Sequence, residues 1–160
     1  MFEFSPDPDQ PKSVLYDDLA TAARALMEGE RDAVANMANC AALLWQFLPD
    51  LNWAGFYRQV EGELVLGPFI GKPACIRIPS GQGVCGAALA TGATQLVPDV
   101  HAFPGHIACD ADSRSELVVP VMREGRVIAV IDLDSPLPAR FDAEDAGGIE
   151  RLAGFLAGHI

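Results

Sequence analysis

Two apolar runs, Glu116-Leu-Val-Val-Pro-Val-Met122 and Val127-Ile-Ala-Val-Ile-Asp-Leu133, are joined by Arg-Glu-Gly-Arg, and their reading decides the fold. Both are short, rich in β-branched residues and separated by a turn signal, so they read as the two strands of a hairpin. Glu116 opens the first run and Asp132 closes the second. Carboxylates at the ends of buried strands need a reason to be there. Side chains alternate along a strand, which puts Asp132 and Asp134 on one face. The residue facing Glu116 depends on the turn. A two-residue turn at Glu124-Gly125 would set Glu116 opposite Leu133, on the wrong face for an acid cluster. A three-residue loop with Gly125 left-handed, making a bulge, sets Glu116 opposite Asp132, and this bulged loop is the expectation.

Working outward, residues 52–59 alternate as a strand, with Trp53, Gly55 and Tyr57 on one face and Ala54, Phe56 and Arg58 on the other. Glu61-Gly62 turns into a second strand at 63–66. Short strands are expected at 75–78 and 95–97, with a helix at 83–90 that Gly86 weakens. Residues 98–113 show no periodicity, and their length marks a functional loop. Ser13 reads as the cap of a first helix with Leu15, Leu19, Ala22 and Leu26 as its stripe. Val34, Met37, Ala41 and Leu44 stripe a second helix at 32–47. Ile149, Leu152, Ala153 and Leu156 stripe the last, capped by Asp142 with Asp145 three positions on. Residues 1–12 are proline-rich and read as a flexible arm, and 13–160 as a single domain. The order of two helices, five or six strands with a helix inside, then a helix, argues for an α+β fold with a mostly antiparallel sheet.

Of the 160 residues, 22 are acidic and 11 basic, a net charge of −11. That balance repels nucleic acid and anionic lipid, so neither is expected as a partner. No apolar run reaches the ~18 residues of a membrane span. The acidic, proline-rich start lacks the features of a signal peptide, so a cytoplasmic setting is expected, where thiols stay reduced. Four cysteines there point to catalysis or metal binding rather than a disulfide framework.

Cys109 sits in the aperiodic loop with His101 and His106 nearby, where a thiol can meet solvent and substrate. As a nucleophile it must act as a thiolate, and if it ends oxidised it needs a resolving partner, either Cys75 or Cys85. Cys40 lies among apolar neighbours on a helix and reads as core. Zinc is the rival use of Cys75, Cys85, Cys109 and His106. Structural zinc sites pair ligands two to four residues apart, and only His106 and Cys109 do so; no metal or other cofactor is expected. Crowding Glu116, Asp132 and Asp134 raises at least one carboxyl pKa, leaving a proton to donate near neutrality. The same acids attract an ammonium group and oppose thiolate formation, which backbone N–H groups or an imidazolium at His101 or His106 must offset. Trp53 and Tyr57 can flank a small apolar group.

Trp-Ala-Gly-Phe-Tyr at 53–57, Gly-Pro-Phe at 67–69, Pro-Ala-Cys-Ile at 73–76 and Gly-Gln-Gly-Val-Cys-Gly at 81–86 form an ordered set. Pro-Gly-His-Ile-Ala-Cys-Asp at 104–110, Ser-Arg-Ser-Glu at 113–116 and Ile-Asp-Leu-Asp-Ser at 131–135 complete it. The set resembles the free methionine-(R)-sulfoxide reductases, which are stand-alone GAF domains, over about 13–158. The resemblance implies a GAF-like sheet of about six strands flanked by helices, often in a homodimer. It implies that Cys109 attacks the sulfoxide sulfur and becomes a sulfenic acid. Cys75 then condenses with it to a disulfide that thioredoxin reduces, while Cys85 is auxiliary. Glu116, Asp132 and Asp134 would hold and polarise free methionine sulfoxide, and Trp53 and Tyr57 would box its methyl-sulfur end. The competing class is a GAF module that senses a small ligand or its own redox state without turnover. Such sensors are usually fused to an effector.

Overall fold

The structure, a computed structural model, describes residues 4, 6–7, 10–105 and 110–160. Its elements are α1 (Lys12–Met27), α2 (Ala33–Phe47), β1 (Trp53–Val60), β2 (Glu63–Gly71), β3 (Arg77–Pro79), α3 (Gly83–Thr91), β4 (Gln95–Val97), β5 (Ser115–Arg123), β6 (Arg126–Ser135) and α4 (Ala143–Leu156), with a short 3-10 turn at Val100–Ala102. The strands pair antiparallel in the order β3-β2-β1-β6-β5-β4, giving the expected α+β architecture.

Alternation along the strands divides the interior into two cores. On one side Ala54, Phe56, Leu117, Val119, Ile131 and Leu133 meet the apolar stripes of α1, α2 and α4. On the other, Trp53, Tyr57, Val118 and Val130 meet Cys85 and Ala88 of α3. The acids lie on this second side because Glu116 is in phase with Val118, and Asp132 and Asp134 with Val130.

The β5–β6 hairpin corrects the expected register. Its loop is a two-residue turn, Glu124-Gly125, with both residues at positive φ (51° and 74°) and Arg123 paired with Arg126. This is the geometry of a type I′ turn, whose twist suits a hairpin. A bulge does occur, but inside the ladder: Met122 pairs with Val127 and Val121 with Ala129, so the additional residue belongs to β6. Glu116 consequently pairs with Asp134, and Asp132 with Val118. All three acids reach one face, as expected, through a different pairing.

Other corrections are local. Pro11, not Ser13, precedes the first helical residue, so α1 begins at Lys12 without a side-chain cap. Its buried stripe runs through Tyr16, Leu19, Ala22, Ala23 and Met27, while Leu15 and Leu26 are only half-buried. Tyr16 is drawn inward by its hydroxyl, which donates to the buried Asp145 carboxylate (2.8 Å), and by Gly148, whose missing side chain leaves room for the ring. Val34 of α2 is exposed; Asp32 caps that helix, accepting from the Ala35 N–H. The second strand extends to Gly71, and the third begins at Arg77 instead of 75. Asp142 and Asp145 form the expected capping box on α4.

Candidate active site

Cross-strand pairing sets the floor of the site. One row across the sheet reads Trp53, Asp134, Glu116 and the next reads Gly55, Asp132, Val118. A cavity of about 50 Å³ opens above these rows. That is room for a few waters, each needing ~10–15 Å³ on this measure. Trp53, Tyr57, Cys85, Glu116, Asp132 and Asp134, all singled out in the sequence, line it together.

The aromatic wall is a stack. The Trp53 indole stacks with Tyr57 (centroids 5.8 Å apart, 21° between planes) and with Phe69 (5.1 Å, 11°). Its Nε1–H donates to the Lys72 carbonyl at 3.2 Å. Glycine permits this arrangement at Gly71, where φ is +140° and an added Cβ would stand 2.6 Å from Trp53 Cδ1. Opposite the wall, α3 brings Cys85 in from its first turn. Gly86 lies against the Pro79 carbonyl, where a Cβ would stand 2.5 Å away, and the Gly81 N–H donates to the Gly86 carbonyl (2.8 Å).

Glu116 and Asp132 are each 6 % exposed and Cys85 4 %, so their charged forms lose nearly all hydration. Burial, then the Asp132 and Asp134 charges, pushes the Glu116 carboxyl well above the ordinary carboxylate range. Burial, then Asp132, does the same to Asp134. Burial lifts Asp132 to about 7, with contacts to Cys85 and Glu116 pulling back. The trio therefore retains a proton near neutrality and titrates as a unit. Cys85 is raised too, by burial and then by the Asp132 and Glu116 charges. The dipole at a helix start favours a thiolate, yet here desolvation and two carboxylates outweigh it. Cys85 stays a thiol and its S–H donates to Glu116 Oε1 at 3.9 Å.

A polar clamp that the sequence reading missed closes the rim. Asn52 Nδ2–H donates to Asp110 Oδ2 (3.2 Å) and Ser113 Oγ (2.9 Å), and its backbone N–H to the Asp134 carbonyl (3.0 Å). Lys72 Nζ pairs with Asp110 (3.0 Å) and Asp112 (2.6 Å). The Asp112 N–H also donates to Asp110, and this bond, ahead of Lys72 and Asn52, holds the Asp110 carboxyl below its usual range. Asp110 and Ser113 belong to motifs already quoted, but their partners lie about 40 to 60 residues away, beyond any local pattern.

The remaining candidates separate. Cys75 is half-buried and packs on the second core next to the lining residue Ala74, without lining the cavity itself. Cys109 and His106 lie outside the described residues. His101 is exposed on the 3-10 turn and away from the cavity lining. Of the zinc ligands weighed, Cys85 alone stands in the cavity among the described residues. Cys40 is buried in the helical core, and burial pushes its thiol up to about 12.

The GAF domain family model matches residues 14–160. The free methionine-R-sulfoxide reductase of Escherichia coli is 50% identical over 145 residues, which span 91% of this chain and 88% of that protein. The enzyme of the same name from Saccharomyces cerevisiae is 42% identical over 150 residues, 89% of this chain and 83% of its own. The solved structure of the free methionine-R-sulfoxide reductase from Neisseria meningitidis, in complex with its substrate, superposes with a TM-score of 0.93. It is 44% identical and covers 98% of this chain and 94% of that one. An acid floor under an aromatic wall, on a fold shared over nearly the whole length with these enzymes, supports one conclusion: this chain belongs to the GAF domain family and, within it, to the free methionine-R-sulfoxide reductases.

Proposed function

We propose that this chain reduces free L-methionine (R)-S-oxide to L-methionine by thiol chemistry at Cys109. The observation that carries the reading is the buried trio Glu116, Asp132 and Asp134, holding a proton at the floor of an aromatic-walled cavity. Sulfoxide reduction needs that proton, because its oxygen departs from sulfur only as it is protonated. The trio's negative charge also suits the ammonium group of a free amino acid, and the Trp53 stack suits its methyl-sulfur end. Relatives named for this activity, and a substrate complex of one of them, support the same reading.

The Cys109 thiolate attacks the sulfoxide sulfur, forming an Sγ–S bond, while an acid of the trio protonates the oxygen. The oxygen then transfers to Sγ as the S–O and Sγ–S bonds break, methionine leaves, and Cys109 is a sulfenic acid. The Cys75 thiol then displaces that oxygen as water, forming a Cys75–Cys109 disulfide. A dithiol donor of the thioredoxin type returns two electrons and two protons. Cys85 suits the attack poorly, since its surroundings keep it a thiol, and an auxiliary part as a proton-bearing neighbour of Glu116 fits it better. Asp110, the residue next to Cys109 in the sequence, lines the cavity.

A homodimer and a cytoplasmic setting accompany this reading, and sedimentation and cell fractionation test them. Among the described residues no helix is long and apolar enough to cross a membrane. The test of function is turnover: incubation with free methionine sulfoxide and dithiothreitol should yield methionine from the R epimer, and Cys109→Ser should yield none. No product from protein with intact thiols would favour a sensor, and activity in the Ser variant would move the nucleophile elsewhere.

A further inference from the structure

We infer that the cavity is also a site for a thiophilic divalent cation, Zn2+ in particular, held by Cys85 Sγ, a Glu116 oxygen and an Asp132 oxygen. One ligand atom from each of the three lies within 4.8 Å of the other two. Zinc bonds of ~2.3 Å to sulfur and ~2.0–2.2 Å to carboxylate oxygen set ligand atoms about 3.5 Å apart in a tetrahedron. The side chains must therefore close by about an ångström, within reach of rotamer adjustment. A second observation points to a ligand: Asp132 lines the cavity, and its Oδ1 is buried without a hydrogen-bond partner among the described residues. Buried acceptors are seldom left unpaired, because burial removes the water they would otherwise bond.

The donor set selects the metal. One thiolate with two carboxylates suits borderline-soft Zn2+ better than Mg2+ or Ca2+, which prefer all-oxygen shells. Binding releases the Cys85 S–H proton and the proton that the carboxyl trio holds to solvent as the S–Zn and O–Zn bonds form, and it requires no redox partner. The cation neutralises charges that otherwise repel one another across the floor, and a fourth position faces the cavity. These ligands differ from the cysteine and histidine set considered from sequence spacing, because Glu116 and Asp132 reach Cys85 only through the sheet register. The site does not depend on the reductase reading, although under that reading zinc would reversibly block the substrate cavity.

Titration of reduced, chelator-stripped protein with Co2+, and then with Zn2+, tests the site without any activity assay. A thiolate-to-cobalt charge-transfer band should saturate at one equivalent and be bleached by one equivalent of Zn2+. Cys85→Ser should abolish the band, and Cys40→Ser, Cys75→Ser and Cys109→Ser should each retain it. Asp132→Asn, nearly isosteric and independent of any folding defect in the Cys85 variant, should weaken Zn2+ by about tenfold or more. Absence of the band in the wild-type protein, its persistence in Cys85→Ser, or unchanged Zn2+ affinity in Asp132→Asn would overturn the assignment.

Discussion

Replacing Asp132 with Asn should make the protein more stable near neutrality while impairing the site. Burial is the main cause lifting this carboxyl from 3.8 to about 7. A rise of about three pH units, at ~1.4 kcal/mol each, is about 4 kcal/mol, an upper bound because Glu116 and Asp134 share the proton. The folded chain holds the proton more tightly than the unfolded chain. Stability from this group is therefore complete below pH 3.8 and is lost as pH rises through about 7. Asparagine keeps the shape and cannot ionise, and its amide can donate to Glu116. Urea unfolding of both proteins, at about pH 5 and about pH 8, reads the difference directly. The gap should widen with pH by about 2–3 kcal/mol in the variant's favour. Asp142 does not confuse the measurement. Its carboxyl is lowered to about 2, chiefly by its bond from Lys12, so it destabilises the fold only as pH falls below 3.8. Equal pH dependence in the two proteins would refute the buried-charge reasoning.

Neighbouring glycines of α4 should respond oppositely to alanine. A Cβ at Gly148 would stand 2.3 Å from the Tyr16 ring, so Gly148→Ala should cost ~1–3 kcal/mol or more, whereas Gly147 faces open space and Gly147→Ala should add up to ~1 kcal/mol in thermal unfolding. Asp145 accepts from the Tyr16 hydroxyl, pairs with Lys12 (2.7 Å) and Arg140 (3.4 Å) and closes the capping box. Asp145→Asn should therefore lower stability by ~3–5 kcal/mol in urea, a penalty that neutral surface substitutions do not share. Trp53 lines the cavity while Trp45 is an exposed helix residue. Saturating free methionine should change the emission of Trp45→Phe protein and leave that of Trp53→Phe protein unchanged.

What the sequence made legible was periodic or local. Alternation placed Trp53 and Tyr57 on one face and Ala54 and Phe56 on the other, and it grouped Asp132 with Asp134. Capping chemistry located α4 through Asp142. The β5–β6 register was misread because Glu124-Gly125 makes a two-residue turn, and the bulge lies just beyond it in β6, where the turn sequence gives no sign of it. The α1 stripe was rotated because Tyr16 is buried by a carboxylate and a glycine some 130 residues later in the chain. The rim clamp of Asn52, Lys72, Asp110 and Ser113 escaped for the same reason: each residue is an ordinary polar loop position until the sheet brings them together. The three acids were recognised since two share a strand and the third opens its neighbour, but it is the β6 bulge beyond the two-residue turn that puts Glu116 on their face.

The most direct test of a proton-bearing cavity serving a cysteine nucleophile is one turnover without external reductant. Fully reduced protein, mixed with excess racemic free methionine sulfoxide, should form one methionine per chain, lose two of its four titratable thiols, and consume only the R epimer. All four thiols remaining titratable with no methionine formed would contradict it.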